Sequence, residues 1–156
     1  MTVTIRPAHP DDVPALAELI EEIERFYGGT ALQPLPERRT QTKEALFGPQ
    51  PLAHALVAAT DDGRLAGLAA YSFLWPARGT THALFLKELY VRDAWRGEGV
   101  GARLMAGLRE VASARPGCSR VEWMADTNNP PARRFYESLG FKELDGKVVY
   151  RVGSGE

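Results

Sequence analysis

"LKELYVRDAWRGEGVGARLM", Leu86–Met105, is the stretch on which the fold turns. It runs from an apolar segment through a short polar connection into a glycine-rich turn, then into residues at helical spacing. Glycines alternate at Gly97, Gly99 and Gly101. Glycine is unfavourable at a helix start unless left-handed dihedrals or a close approach to the backbone require it. Two templates fit. Gly97-x-Gly99-x-x-Ala102 satisfies the dinucleotide pattern G-x-G-x-x-G/A, and Asp126 closes the next strand where an acid could meet a ribose, although later than the usual ~20 residues. Arg96-x-x-Gly99-x-Gly101 satisfies a second pattern, in which amides of the loop and first helical turn converge on one anion with the help of the helix dipole. There Arg96 either holds the loop or meets the anion. No GK[ST] follows, so a magnesium-nucleotide loop is not indicated.

Outward from this stretch, "HALFLKELYV" is a long apolar run bounded by turns and reads as a central strand. The helix after the glycines extends to about Ala114, and "RVEWMAD" is the next strand. Upstream, "VTIRPA" alternates as a first strand. A helix capped near Asp11 follows, with Val13, Leu16, Leu19, Ile20, Ile23 and Phe26 on one face, stopped by Gly28-Gly29. "TALQPLPE" reads as a loop and "RRTQTKEALFG" as a second short helix. "AHALVAATD" and "RLAGLAAYSFLW" form a hairpin across "DDG". Downstream, "PPARRFYESLG" is a helix with prolines in its first turn and Gly140 as its C-cap, bearing Ala132, Phe135, Tyr136 and Leu139 on one face. "FKEL" and "KVVYRV" close the chain as an expected hairpin. The order β-α-α-β-β-β-α-β-α-β-β predicts an α/β (α+β) fold, a mixed sheet with helices on both faces. Residues 1–152 are expected to form a single domain, with 153–156 a frayed tail. The hairpins ahead of the glycines, and the one clear β-α-β crossover after them, argue against a two-half dinucleotide fold.

A near balance of 19 basic and 20 acidic residues gives no electrostatic ground for nucleic acid or an anionic membrane. No apolar run approaches the ~18 residues of a membrane span, and "MTVTIRPAHPDDV" lacks the apolar core of a signal peptide, so a cytoplasmic setting is expected. The lone Cys118 has no intrachain partner and reads as a structural residue. His9, His54 and His82 stand in no metal-binding spacing, and no metal is expected.

The central stretch resembles the main motif of the GNAT superfamily of N-acetyltransferases. "NNPPARRFYESLGF" resembles that family's second motif, Asn-x-x-Ala-x-x-x-Tyr with a Gly-Phe ending, and "TIRPAHPDDV" resembles its opening. The likeness covers nearly the whole chain. It implies a GNAT-like, largely antiparallel sheet with one splayed parallel strand pair, and acetyl-CoA lying in the gap. By resemblance, the backbone of Leu89, Tyr90 and Val91 holds the pantetheine arm. Arg96 and the loop and helix start at Gly97, Glu98, Gly99, Val100, Gly101 and Ala102 hold the pyrophosphate. Asn129, Phe135 and Tyr136 lie along the pantetheine and sulfur. The implied reaction is direct attack of a primary amine on the thioester, in an enzyme often found as a homodimer.

Tyr136 is the expected acid: a phenol of pKa about 10 is protonated at neutral pH and suited to a departing thiolate. Its alternative is a core aromatic beside Phe135. A lysine-like amine costs about 4–5 kcal/mol to deprotonate at pH 7, at 1.36 kcal/mol per pKa unit, so a base helps. Glu88, a carboxylate inside an apolar strand, is the first candidate, with pairing to a cation as its alternative. Glu122 is the second. Backbone N–H near Val91 can polarise the thioester carbonyl.

Within the superfamily, "FYGG", "LFGPQPLAHALVA" and "YSFLW" are similar to the diamine and thialysine acetyltransferases. That branch carries its base-like glutamate where this chain has Lys87, and an acidic residue near Tyr27. Both departures disfavour a polyamine acceptor. Phe26, Tyr27, Trp75 and Glu88 are the expected acceptor-side residues, and a small-molecule amine the expected partner. A non-catalytic acyl-CoA-binding domain would keep the loop without needing Tyr136 or Glu88.

Overall fold

The computed structural model describes residues 2–30 and 32–155. The expected loop includes Ala31 and the expected tail includes Glu156; both lie outside the described residues. The chain divides into two compact units between Met124 and Ala125.

The first unit contains the strands β1 (Val3–Pro7), β2 (His54–Thr60), β3 (Leu65–Leu74), β4 (His82–Val91) and β5 (Cys118–Trp123), and the helices α1 (Val13–Phe26), α2 (Leu35–Phe47) and α3 (Val100–Ala114). The sheet order is β1-β2-β3-β4-β5. The first three pairings are antiparallel and β4 with β5 is parallel. Only this last pair needs a crossover, which α3 supplies. One crossover cannot build the two halves of a dinucleotide fold, so the first template fails on topology.

Helices cover both faces. On one, Leu16, Leu19 and Ile23 of α1 pack with Val57, Leu65, Leu68 and Tyr90. On the other, Leu104, Met105 and Leu108 of α3 are buried. There Gly107 lets α3 close on the sheet: a Cβ would lie 2.9 Å from Leu56 Cδ1 and 3.3 Å from Ile5 Cγ2. α1 starts behind a 3-10 turn at Pro10–Asp12, where Asp12 accepts the His9 amide at 2.7 Å and a bidentate pair from Arg6 at 2.8 and 3.0 Å. It ends as the sequence predicts: Gly28 takes φ +88°, and Gly28 and Gly29 donate back to Arg25 and Glu24.

Several boundaries move. α2 starts at Leu35, inside the expected loop, because Pro34 and Pro36 suit the entry to a helix. β5 begins at Cys118 and ends at Trp123, so "RVEWMAD" is displaced toward the N-terminus. Among the described residues, no helix is long and apolar enough to cross a membrane.

The second unit holds α4 (Pro130–Ser138). Asn129 caps it, its Oδ1 accepting from Ala132 N at 3.4 Å. Gly140, at φ +86°, ends it, with Gly140 N–H to Glu137 O and Phe141 N–H to Tyr136 O. The expected closing hairpin does not form: Phe141–Val152 contains no strand. Leu144, Val148, Val149, Tyr150 and Val152 are exposed by 66–92%. Period-2 apolar spacing specifies a strand only when a neighbouring strand or packed face rewards it, and a lone hairpin is marginal.

Candidate active site

β4 and β5 pair only from His82↔Cys118 to Leu86↔Trp123. β5 then ends, while β4 continues through Lys87–Val91 along β3 alone. The ladder to β3 shifts register at Lys87: Ala70 faces Glu88, but Tyr71 faces Leu86. Lys87 is therefore the bulged residue, and it is exposed. Past the bulge, Arg92 donates to Ala66 O, and Tyr90 O lies where a Cβ on Gly67 would meet it at 2.5 Å. Alternation then turns the backbone groups of Leu89 and Val91 toward the edge that β5 has left. Of the three expected pantetheine contacts, Tyr90 thus has its backbone committed to β3. Gly67 is what permits that approach.

The loop after β4 makes a 3-10 turn at Asp93–Trp95, then places Gly97 at φ +78° and Gly99 at φ +82°. Neither glycine would meet any atom within 4 Å if given a Cβ, so it is the left-handed backbone, not crowding, that excludes side chains. Gly99 is the N-cap of α3, with no side-chain cap. The helix begins its bonding with Arg103 N–H to Gly99 O at 3.1 Å. Helix geometry leaves the amides of Val100, Gly101 and Ala102 without intrahelical acceptors. This is an anion-receiving arrangement whose donors are backbone amides reinforced by the dipole. Arg96 makes the first of its two expected contacts, holding the loop. Its Nε donates to Val91 O at 2.8 Å, Nη1 approaches Asp93 Oδ1 at 3.4 Å, and its guanidinium lies 5.1 Å from the Phe26 ring and 5.4 Å from the Tyr90 ring.

On the α1 face, Glu88 stands opposite Ala70, beside the Leu68–Tyr90 pair. Burial and the adjoining Glu22 carboxylate push the Tyr90 phenol above its ordinary value, against the opposing pull of the Arg96 guanidinium. Glu22 Oε1 also approaches Arg92 Nε at 3.4 Å. Sequence reasoning missed Glu22 and Arg92. Glu22 sits four residues before Phe26, one turn back on the same helix face, and that spacing was the available signal.

The acceptor-side candidates divide. Phe26 and Tyr27 are about half exposed and meet edge to face at 5.2 Å, with Phe26 5.8 Å from Tyr90. Trp75 lies elsewhere. Gly67 pairs with Val91 and Leu74 with Ala83, so Trp75 stands at the opposite end of the β3–β4 pair from Tyr90. Its Nε1 donates to Thr80 O at 2.9 Å, across the β3–β4 turn. Trp75 is a turn residue, not a neighbour of Phe26. Glu122 approaches Arg120 at 3.9 Å, the ion-pair alternative for a strand carboxylate. In the second unit, Phe135 and Tyr136 are neighbours on α4 at 5.2 Å. Among the described residues, no cluster of His, Cys, Asp or Glu could hold a metal.

Comparison with known proteins agrees with this geometry. Residues 16–141 match the family model described as the acetyltransferase (GNAT) family. The chain is 27% identical over 154 residues to a thialysine N-epsilon-acetyltransferase from Sus scrofa, covering 92% of this chain and 86% of that protein. It is 35% identical over 71 residues to an aminoglycoside N(6')-acetyltransferase type 1 from Serratia marcescens, covering 46% of this chain and 48% of that one. An integron cassette protein from the mobile metagenome of V. cholerae superposes with a TM-score of 0.88 at 28% identity, over 99% of this chain and 95% of that one.

Proposed function

The chain belongs to the GNAT acetyltransferase family and is an acetyltransferase, and from that premise we propose that it moves an acetyl group from acetyl-CoA to a small primary amine. The observation that carries the reading is local to β4: its Leu89–Val91 edge, left by β5, runs directly into an uncapped helix start behind two left-handed glycines. A thioester on a long amide-bearing arm with a diphosphate at its end matches that sequence of an unpaired strand edge and an anion cradle.

Acetyl-CoA supplies an acetyl group already activated as a thioester. The amides from Gly97 to Ala102 would hold its pyrophosphate. The Leu89 and Val91 backbone would align the pantetheine, with a Val91-region N–H against the thioester carbonyl. Glu88 would take the proton that the attacking amine must lose. Tyr136 would hold the proton that the departing sulfur must gain, and Asn129 and Phe135 would flank the arm. In this reading both units act as one acetyltransferase domain in the cytoplasm. The aromatic Phe26–Tyr27 pair supports an organic amine as acceptor. The exposed Lys87 disfavours a polycation. The exposed apolar residues Leu144, Val148, Val149, Tyr150 and Val152 support a homodimer, which light scattering reads as twice the chain mass; a single-chain mass removes it.

Thermal-shift titration with acetyl-CoA, CoA and NAD tests the donor. Stabilisation by both CoA species and not by NAD is expected. A shift with NAD alone overturns the reading.

A further inference from the structure

Arg96 immediately precedes Gly97, and the two left-handed glycines give the loop more freedom to lose on ordering than ordinary residues would. Something outside the loop has to hold it. The Val91 carbonyl fixes Nε, and the guanidinium rests against two rings that are themselves 5.8 Å apart at 71°. One ring belongs to β4, the other to the last turn of α1, seventy residues before Arg96 in the chain. The same helix contributes Glu22, whose carboxylate pairs with Arg92 at 3.4 Å. Phe26 takes little part in the core: it is 53% exposed, while Leu16, Leu19 and Ile23 anchor α1. Its described contacts are with Tyr27, Tyr90 and Arg96.

We propose that Phe26 is a positioning residue for the donor loop: with Tyr90 it seats the Arg96 guanidinium and so couples the end of α1 to the amides that receive the diphosphate. The proposal rests on the reading that this loop binds CoA. Apparent affinity falls in proportion to the fraction of loops already in the competent geometry, so loosening Arg96 weakens CoA without removing any donor. Gly28, two residues past Phe26, turns the chain into the α1–α2 connection. CoA binding and the order of that connection are thereby linked, each favouring the other. The acceptor-side segment is set when the donor arrives.

The test uses the full chain, CoA and no amine, which separates this role from any contact of Phe26 with an acceptor. Calorimetry compares wild type with Phe26→Tyr, which keeps a ring, and Phe26→Leu, which keeps the apolar bulk but not the ring. Hydrogen exchange follows peptides covering Glu22–Gly29. Phe26→Leu is expected to weaken CoA about two- to fivefold and to abolish the slowing of exchange that CoA causes in wild type, while Phe26→Tyr behaves as wild type. Arg96→Lys, which leaves α1 untouched, is expected to reproduce the Leu variant's loss, because an ammonium lacks the planar stacking fork. Wild-type affinity in Phe26→Leu, or equal losses in the Leu and Tyr variants, overturns the coupling while leaving CoA binding established. A wild-type protein that fails to bind CoA overturns both.

Discussion

Arg96 donates its Nε–H to the carbonyl of Val91 at 2.8 Å, folding the glycine loop back on the strand that leads into it. The bond engages one lone pair of the outward-facing Val91 carbonyl, on the edge that β5 has left. It also explains why an arginine precedes the glycines. The cation holds the loop, and the amides of the first turn of α3 are left as the proposed anion donors.

The left-handed φ of +82° at Gly99 makes its substitution informative in two separate readouts. Gly99→Ala meets no neighbouring atom within 4 Å, so its cost is backbone strain of about 1–2 kcal/mol, seen as a modest fall in the thermal midpoint. Gly99→Val adds bulk beside the amides and is expected to abolish measurable CoA binding in a chain that still unfolds cooperatively. Tight CoA binding by the Val variant would remove the amide cradle from the account.

Tyr136→Phe keeps the ring beside Phe135 and removes the hydroxyl. Turnover is expected to fall about a hundredfold or more, with the KM for acetyl-CoA nearly unchanged. Steady-state kinetics with a good amine decides it, and unchanged turnover would take Tyr136 out of the acid role.

Glu88→Gln should lower turnover at neutral pH and recover progressively at higher pH, where more of the amine is already unprotonated. A pH–rate profile checks this. A constant ratio of variant to wild type across the range would show that Glu88 does not take the amine proton.

Asp12 gives a pH dependence of stability. The Arg6 hydrogen bonds, with the His9 amide, hold its carboxyl below the ordinary carboxylate value. A depressed native value means stability fully present above the unfolded carboxylate pKa of about 4 and lost as pH falls through the native value. Asp12→Asn is expected to lower the thermal midpoint at pH 7 by the equivalent of about 1–3 kcal/mol and to flatten the acid limb of the stability profile. A variant whose acid limb parallels wild type would assign acid unfolding to other groups.

Much of this was legible in the residues. β4 runs from His82 to Val91 as its apolar run and bounding turns predict, and α3 ends at Ala114. The glycine stops at Gly28 and Gly140 carry the positive φ that their positions demand. What escaped was set by distant partners. Where β5 ends opposite Leu86 depends on register between strands, and the bulge at Lys87 leaves no local mark. Arg96 could be read as an anion ligand or a strut, and the choice depends on Phe26, which only the fold brings beside it. Trp75 looked like a pocket aromatic because it ends a strand that also serves the site, but it serves the other end. Residues 141–152 alternate like a hairpin, yet pattern alone does not supply a partner strand.

The most direct test of the central claim is an amine panel incubated with the protein and acetyl-CoA, with thiol release and product mass followed together. The panel spans diamines, amino acids, amino sugars and a lysine peptide. The account predicts thiol release that requires both protein and a primary amine, with the amine gaining one acetyl group and a small organic amine preferred. CoA binding without thiol release for any amine, or acetyl transfer that does not require an amine, would contradict it.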